Sequence, residues 1–79
     1  MNTVMISLDT IDKVKSFVND IVKFDCDFDL KSSRYIVDAK SIMGIFSLDL
    51  SQPIELCING AEDDEIEDIL EVLDKYVIK

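Results

Sequence analysis

The segment AKSIMGIFSLDL, residues 39–50, is the most informative stretch of the chain. Its apolar side chains neither alternate strictly, as in a half-buried strand, nor form the run of roughly 20 residues that crosses a membrane. Residues 41–48 instead fit a short helix in which Ser41 is the N-cap residue and Gly44 is a tolerated weak point. Since only one side of such a helix can face a core, we expect part of this apolar segment to be exposed.

Four stretches around this segment have the pattern of β-strands. Residues 3–8 and 25–30 alternate apolar and polar side chains, which is typical of strands with one buried face. A turn at residues 31–34 then leads into residues 35–39, and this succession predicts a β-hairpin. Residues 54–58 alternate in the same way and predict a fourth strand.

Two longer segments carry apolar residues at helical spacing. Residues 11–23 predict an amphipathic helix that begins after Asp9 or Thr10 as its N-cap residue. A second helix follows an Asn-Gly turn, and its apolar face consists of Ile66, Ile69, Leu70, Leu73, Tyr76 and Val77. Together with the short helix, the order β-α-β-β-α-β-α predicts one α+β domain over residues 1–79, with helices and strands in two layers.

Acidic residues dominate the start of the last helix, from Glu62 to Asp68. A calcium-binding loop would need spaced oxygen ligands around a central glycine, and this run has neither. The carboxylates instead complement the positive end of the helix dipole, so we interpret them as a solvated helix face. We expect no metal and no cofactor.

Composition excludes several classes of function. The net charge is −9, so neither nucleic acid nor an anionic membrane surface is an expected partner. The chain contains no histidine, the commonest general base and metal ligand, and its two cysteines cannot form a usual zinc site. Because no signal peptide and no membrane-spanning run is recognisable, we expect a cytoplasmic protein.

The two cysteines are expected on opposite faces of the sheet. Cys26 shares a face with Phe28 and Leu30, which predicts burial, whereas Cys57 points away from the apolar residues of its strand, to the open face. Opposite faces of one sheet cannot be bridged by a disulfide. We therefore expect two free thiols, as in a reducing compartment.

The nine residues KSIMGIFSL, 40–48, resemble a signature of the HPr family, the histidine-containing phosphocarriers of the bacterial sugar phosphotransferase system. The stretch NGAEDDEIEDIL, residues 59–70, resembles the entry to the acidic final helix of the same family, and the order of elements agrees over essentially the whole chain. The resemblance implies an α+β, HPr-like open-faced β-sandwich. In that fold a four-stranded antiparallel sheet of order 1-4-2-3 carries three helices on one face.

The place of the phosphocarrier histidine is where this sequence departs from the family. Counted back from Ser41, the family's histidine corresponds to Thr10 and its arginine to Asp12, so this position is degenerate. A threonine phosphate ester is too stable to be handed on, and the carboxylates of Asp9 and Asp12 would repel a phosphoryl group. We therefore expect neither phosphocarrier activity nor a catalytic residue.

A second functional position of the family corresponds to Ser41. In many Gram-positive members a dedicated kinase phosphorylates this serine, and one branch of the family lacks the active histidine and keeps only this regulatory role. A helix N-cap stabilises a phosphate through free amides and the helix dipole. The alternative is that Ser41 is only a capping residue, and both interpretations stay open.

The resemblance also implies a docking surface on the outer side of the short helix. In the family the Ile-Met side of this helix is exposed and contacts partner proteins, and here that side carries Ile42, Met43 and Phe46. Ile45 and Leu48 then face the core. An exposed apolar patch on so small a domain indicates an interaction site, although self-association or incidental exposure is an alternative.

Three functions are consistent with these observations. The first is a regulatory or interaction protein, not an enzyme, that binds a protein of the phosphotransferase system or of carbon regulation. The second is a phosphotransferase component in the usual sense, which the absence of histidine opposes. The third is a small ligand-binding α+β module whose likeness to HPr is only ancestral. We expect the first.

Overall fold

The computed structural model describes residues 2–32 and 35–78. Within them the strands are β1 (Asn2–Ile6), β2 (Asp27–Ser32), β3 (Tyr35–Asp38) and β4 (Ile54–Asn59). The helices are α1 (Ile11–Ile21), α2 (Ile42–Phe46) and α3 (Asp63–Leu73), followed by a 3-10 turn over Asp74–Tyr76. The elements occur in the predicted order, and their ends differ from the predicted ends by a few residues.

All four strands belong to one antiparallel sheet of order β1-β4-β2-β3. Its register aligns Val4, Leu56, Leu30 and Val37 in a row across the sheet. Because successive side chains of a strand point to opposite faces, this row and the rows two residues away form one apolar face. The strand order is the one that the resemblance implied.

The three helices cover this apolar face and close a core with it. Their buried residues are Val14, Phe17 and Ile21 of α1, Ile45 of α2, and Ile66, Ile69 and Leu73 of α3. The strands contribute Ile6, Phe28, Leu30, Ile54, Leu56 and Ile58. Burying one such side chain contributes about 1.5–3 kcal/mol, so the many buried side chains of this cluster are the main source of stability. The other face of the sheet stays open.

The predicted turn of the hairpin, residues 31–34, begins too early, because β2 continues to Ser32. Lys31 and Ser32 belong to β2, because they pair with Ile36 and Tyr35 of β3. Backbone pairing extends the strand even where the side chains are polar, since every N–H and C=O group must find a partner. The rest of the predicted turn, residues 33–34, lies outside the described residues.

The C-terminal helix ends earlier than its apolar spacing predicts. α3 stops at Leu73, and the tighter 3-10 turn that follows brings Tyr76 into the core at 4% exposure. Leu70 is counted on the apolar face in the sequence, but it lies on the flank of α3 and is 36% exposed. The 3-10 turn therefore keeps Tyr76 in the core, whereas Leu70, which lies inside α3, is an expected core residue that the structure leaves partly exposed.

The last described residues run along the outer edge of β1. Val77 forms an isolated antiparallel bridge with Ile6, and the N–H of Ile78 donates to the carbonyl of Met5 at 3.0 Å. This edge of the sheet is therefore partly covered by the chain itself.

Both cysteines are free and buried. Cys26 belongs to the core cluster, as expected, whereas Cys57 lies on the opposite face. That face is open, but Cys57 is only 1% exposed because Thr3 and Asp29 flank it from the two neighbouring strands. Burial raises the pKa of both thiols, which keeps them in the unreactive protonated form.

Candidate functional site

The N-terminus of α1 contains the predicted degenerate phosphocarrier position. Thr10 is the N-cap residue, and its hydroxyl oxygen accepts a hydrogen bond from the backbone N–H of Lys13 at 3.1 Å. Asp12 is exposed in the first helical turn. The fold therefore brings Thr10 and Asp12 to one helix end, where the threonine oxygen is already used to cap the helix.

Carboxylates surround this helix end. The Nζ atom of Lys13 lies 2.9 Å from Oδ1 of Asp9, and this hydrogen bond, with the lysine charge, holds the pKa of Asp9 below its usual value. An exposed ion pair of this kind adds little to stability. Since Asp9 already pairs with Lys13, the carboxylate of Asp12 leaves the helix end with excess negative charge, which is unfavourable for a phosphoryl group.

A groove of about 250 Å³ opens between α1 and the C-terminal turn. It is lined by Asp12, Lys13, Ser16, Lys75 and Tyr76. Lys13 and Lys75, its two cationic residues, are paired with Asp9 and Asp20. The groove therefore offers no unpaired cation to an anionic ligand.

A polar cluster that the sequence analysis missed ties α1 to the C-terminal turn. The Tyr76 hydroxyl lies 2.6 Å from Oγ of Ser16 and 2.9 Å from Oδ2 of Asp20, and Lys75 approaches the same carboxylate at 3.3 Å. Burial raises the pKa of Tyr76, and the hydrogen bond to Asp20 raises the pKa of Lys75. The available signal was the spacing of Ser16 and Asp20, which places them on one side of α1.

The N-terminus of α2 is capped by Ser41. Its Oγ accepts a hydrogen bond from the backbone N–H of Gly44 at 3.2 Å, and the residue itself is exposed. Ser47 closes the other end of α2 by donating from its hydroxyl to the carbonyl of Gly44 at 2.6 Å. Ser41 thus satisfies a backbone N–H that the start of a helix leaves unpaired. The Ser47 hydroxyl adds a second hydrogen bond to a carbonyl that already accepts from the backbone N–H of Ser47.

Replacement of the Ser41 cap is expected to destabilise the protein. Ser41→Ala should lower the free energy of unfolding by about 1 kcal/mol, because the Gly44 N–H loses its partner. Ser41→Asp should keep wild-type stability, since aspartate caps helices as well as serine does. Urea denaturation followed by circular dichroism measures both variants, and equal stability of Ser41→Ala and wild type would contradict a capping role.

The outer side of α2 carries two exposed apolar side chains. Met43 is 77% exposed and Phe46 is 40% exposed, whereas Ile45 is fully buried. Ile42, expected on the same outer side, is half-buried and packs against the core. Helical side chains lean toward the N-terminus, so the first residue of so short a helix covers the protein body. We call Met43 and Phe46 the α2 patch.

The described part of the chain shows neither a metal site nor a membrane span. Within residues 2–32 and 35–78, no group of three or more cysteine or carboxylate side chains is arranged to hold a metal ion. In the same part of the chain, no helix is long and apolar enough to cross a membrane.

Comparison with known structures identifies close relatives of this fold. The chain is similar to HPr-C-His from Thermoanaerobacter tengcongensis, with a TM-score of 0.75 and 29% identity over 95% of this chain and 92% of that one. It is similar to the phosphocarrier protein HPr of Bacillus anthracis, with a TM-score of 0.70 and 30% identity over 98% of this chain and 94% of that one.

A third similar structure is Crh, the catabolite repression protein of Bacillus subtilis, described as a domain-swapped, intertwined dimer. The TM-score is 0.65 and the identity 25%, over 94% of this chain and 88% of that one. A comparison with curated protein sequences finds no significant match. The family model for the phosphorylation site of the HPr component of the phosphotransferase system matches residues 13–78. With this match over most of its length, the chain belongs to the HPr family of the phosphotransferase system.

Proposed function

We propose that this member of the HPr family is a regulatory or protein-interaction protein that does not carry phosphoryl groups. The observation that carries the proposal is the absence of histidine from the whole chain, with Thr10 in the place of the family's phosphorylated residue. A phosphocarrier needs a nitrogen nucleophile whose phosphoryl group is readily passed on. The Thr10 hydroxyl would form a stable ester, and it is engaged as the cap of α1.

The comparisons support treating the histidine position at the start of α1 and the surface of α2 as two separate functional regions of the family. The family model begins to match at residue 13, after Thr10 and Asp12, and its match includes all of α2. The likeness to Crh, a protein described by its part in catabolite repression, favours a role in regulating carbon use. Both findings support a role for the patch on α2 in a chain that contains no histidine.

Incubation with labelled phosphoenolpyruvate and the upstream enzyme of the phosphotransferase system tests the loss of carrier activity. We expect no acid-labile label on this chain, because phosphohistidine cannot form. A histidine-containing family member in the same reaction serves as the positive control. Acid-labile labelling of this chain would overturn the proposal.

Control through Ser41 is the second part of the proposed function. Ser41 is exposed at the start of α2, directly before the α2 patch, so a phosphate there would add negative charge beside Met43. The serine kinase that acts on HPr in a Gram-positive host should label the wild type and leave Ser41→Ala unlabelled. If the kinase labels a true HPr but not this chain, regulation through Ser41 loses its basis.

The proposed partner is a protein of the phosphotransferase system or of carbon regulation that contacts the α2 patch. Partners that recognise a cationic first helix are not expected, because Asp12 replaces the family's arginine and Lys13 is paired with Asp9. We place the protein in the cytoplasm, in keeping with the two unpaired thiols of Cys26 and Cys57.

A further inference from the structure

The two edges of the sheet differ in how they are protected. The outer edge of β1 is paired with the C-terminal segment through the Ile6–Val77 bridge and the Ile78–Met5 hydrogen bond. β3 forms the opposite edge and pairs only with β2 among the described residues. Exposed edges are usually short, charged or covered, because they are templates for pairing with another chain.

A hydrogen bond from Ala39, the residue after β3, to β2 determines which backbone groups of β3 point toward the free edge. The N–H of Ala39 donates to the carbonyl of Phe28 at 3.0 Å, in the register that continues β2 and β3. Bonded and non-bonded pairs alternate along an antiparallel ladder, so Val37 is bonded to β2 and Ile36 is not. Both backbone groups of Ile36 therefore point away from the sheet, toward the free edge.

The side chains at this edge are apolar and exposed. Tyr35 is 67% exposed and Ile36 is 63% exposed, on opposite faces of the strand. These are the features of an edge that accepts a partner strand, since backbone groups supply affinity and alternate side chains supply specificity.

Two carboxylates face each other on the open face beside this edge. Asp29 of β2 and Asp38 of β3 are directly opposed in the register. Asp29 accepts a hydrogen bond from Nδ2 of Asn59 at 3.2 Å, and Asp38 accepts one from the backbone N–H of Lys40 at 2.9 Å. Within residues 2–32 and 35–78, neither carboxylate forms a salt bridge. Like charges in this arrangement are destabilising, and a cation beside them would relieve the repulsion.

We propose that β3 binds an extended segment of a partner protein as a fifth strand of the sheet. An apolar side chain of that segment packs on Ile36, and a lysine or arginine two residues along lies beside Asp38, on the same face. The net charge of −9 opposes a second copy of this chain as the occupant and favours a basic one.

A random nonapeptide library displayed on phage tests this proposal. Selection on the wild type alone should enrich peptides that place a basic residue two positions from an apolar one. Ile36→Pro removes the outward N–H and the isoleucine side chain, and it breaks no hydrogen bond of the ladder with β2, because Ile36 is not bonded to that strand; edge strands tolerate proline there. The NMR spectrum of each ¹⁵N-labelled variant establishes that the variant is folded.

A synthetic peptide from the selection then gives the affinities. Slowed amide exchange of Ile36 and about tenfold weaker binding to Ile36→Pro are expected. Asp38→Asn, which keeps the shape of the side chain, should weaken binding about threefold and reduce its dependence on salt. The proposal is overturned if the selected peptides bind Ile36→Pro equally well, if they lack a basic position, or if β3 pairs with a second copy of this chain instead.

Discussion

Phe17→Ala is expected to lower the free energy of unfolding by about 3–5 kcal/mol. Phe17 is fully buried in the middle of α1, and its ring meets that of Tyr76 edge to face, with centroids 5.5 Å apart. The substitution leaves a cavity and removes this ring pair, which is worth about 0.5–1.5 kcal/mol beyond its buried area. Since a domain of this length has a total stability of roughly 4–12 kcal/mol, a large share of it would be lost.

Phe46→Ala is the matched control for this prediction. Phe46 is 40% exposed in the α2 patch, so its removal should change the free energy of unfolding by less than about 1 kcal/mol. Urea denaturation of both variants, followed by circular dichroism, measures the difference. Equal losses of stability in the two variants would contradict the placement of Phe17 in the core and Phe46 at the surface.

Met43→Glu is expected to weaken partner binding by about tenfold or more while leaving the fold intact. Met43 is 77% exposed at the centre of the α2 patch, so a carboxylate there costs little in the free protein. In a complex the same carboxylate would be buried against an apolar surface, which is costly without a partner charge. Quantitative pull-down from a lysate of the native host, comparing wild type with Met43→Glu, measures the loss.

Met5→Glu provides the control for this second prediction. Met5 is 43% exposed on β1, away from α2, so the same change in charge should leave the capture of partners unchanged. If both variants lose the same partners, the effect is one of net charge and not of the α2 patch. If Met43→Glu instead turns a dimer of this chain into a monomer, the patch serves self-association and the proposed docking role is wrong.

Local patterns in the sequence predict the faces of the elements well. The alternation of Cys26, Phe28 and Leu30 assigns one side of β2 to the core because the period of a strand is fixed by its backbone geometry. The Ser41 cap is also a local feature, since the hydroxyl reaches an amide only three residues away. Such features depend on few neighbours, and the structure contains them as predicted.

Features that depend on distant contacts were not predictable from these patterns. The strand order places β4 between β1 and β2, and it came from the resemblance to HPr rather than from alternation or spacing. The burial of Cys57 depends on flanking strands, and the contact of Tyr76 with Ser16 and Asp20 depends on where the 3-10 turn begins. The half-buried state of Ile42 likewise depends on how α2 sits on the protein body.

The pairing of β1 with β4 also determines when the fold can be completed. Val4 lies beside Leu56, so β1 is made by the ribosome long before the strand that pairs with it. Synthesis proceeds at about 5–20 residues per second. Until β4 has been made, β1 has only water to satisfy its backbone groups. Contacts that join such distant parts of a chain form slowly. A strand that is synthesised so long before its partner is therefore among the last to be secured.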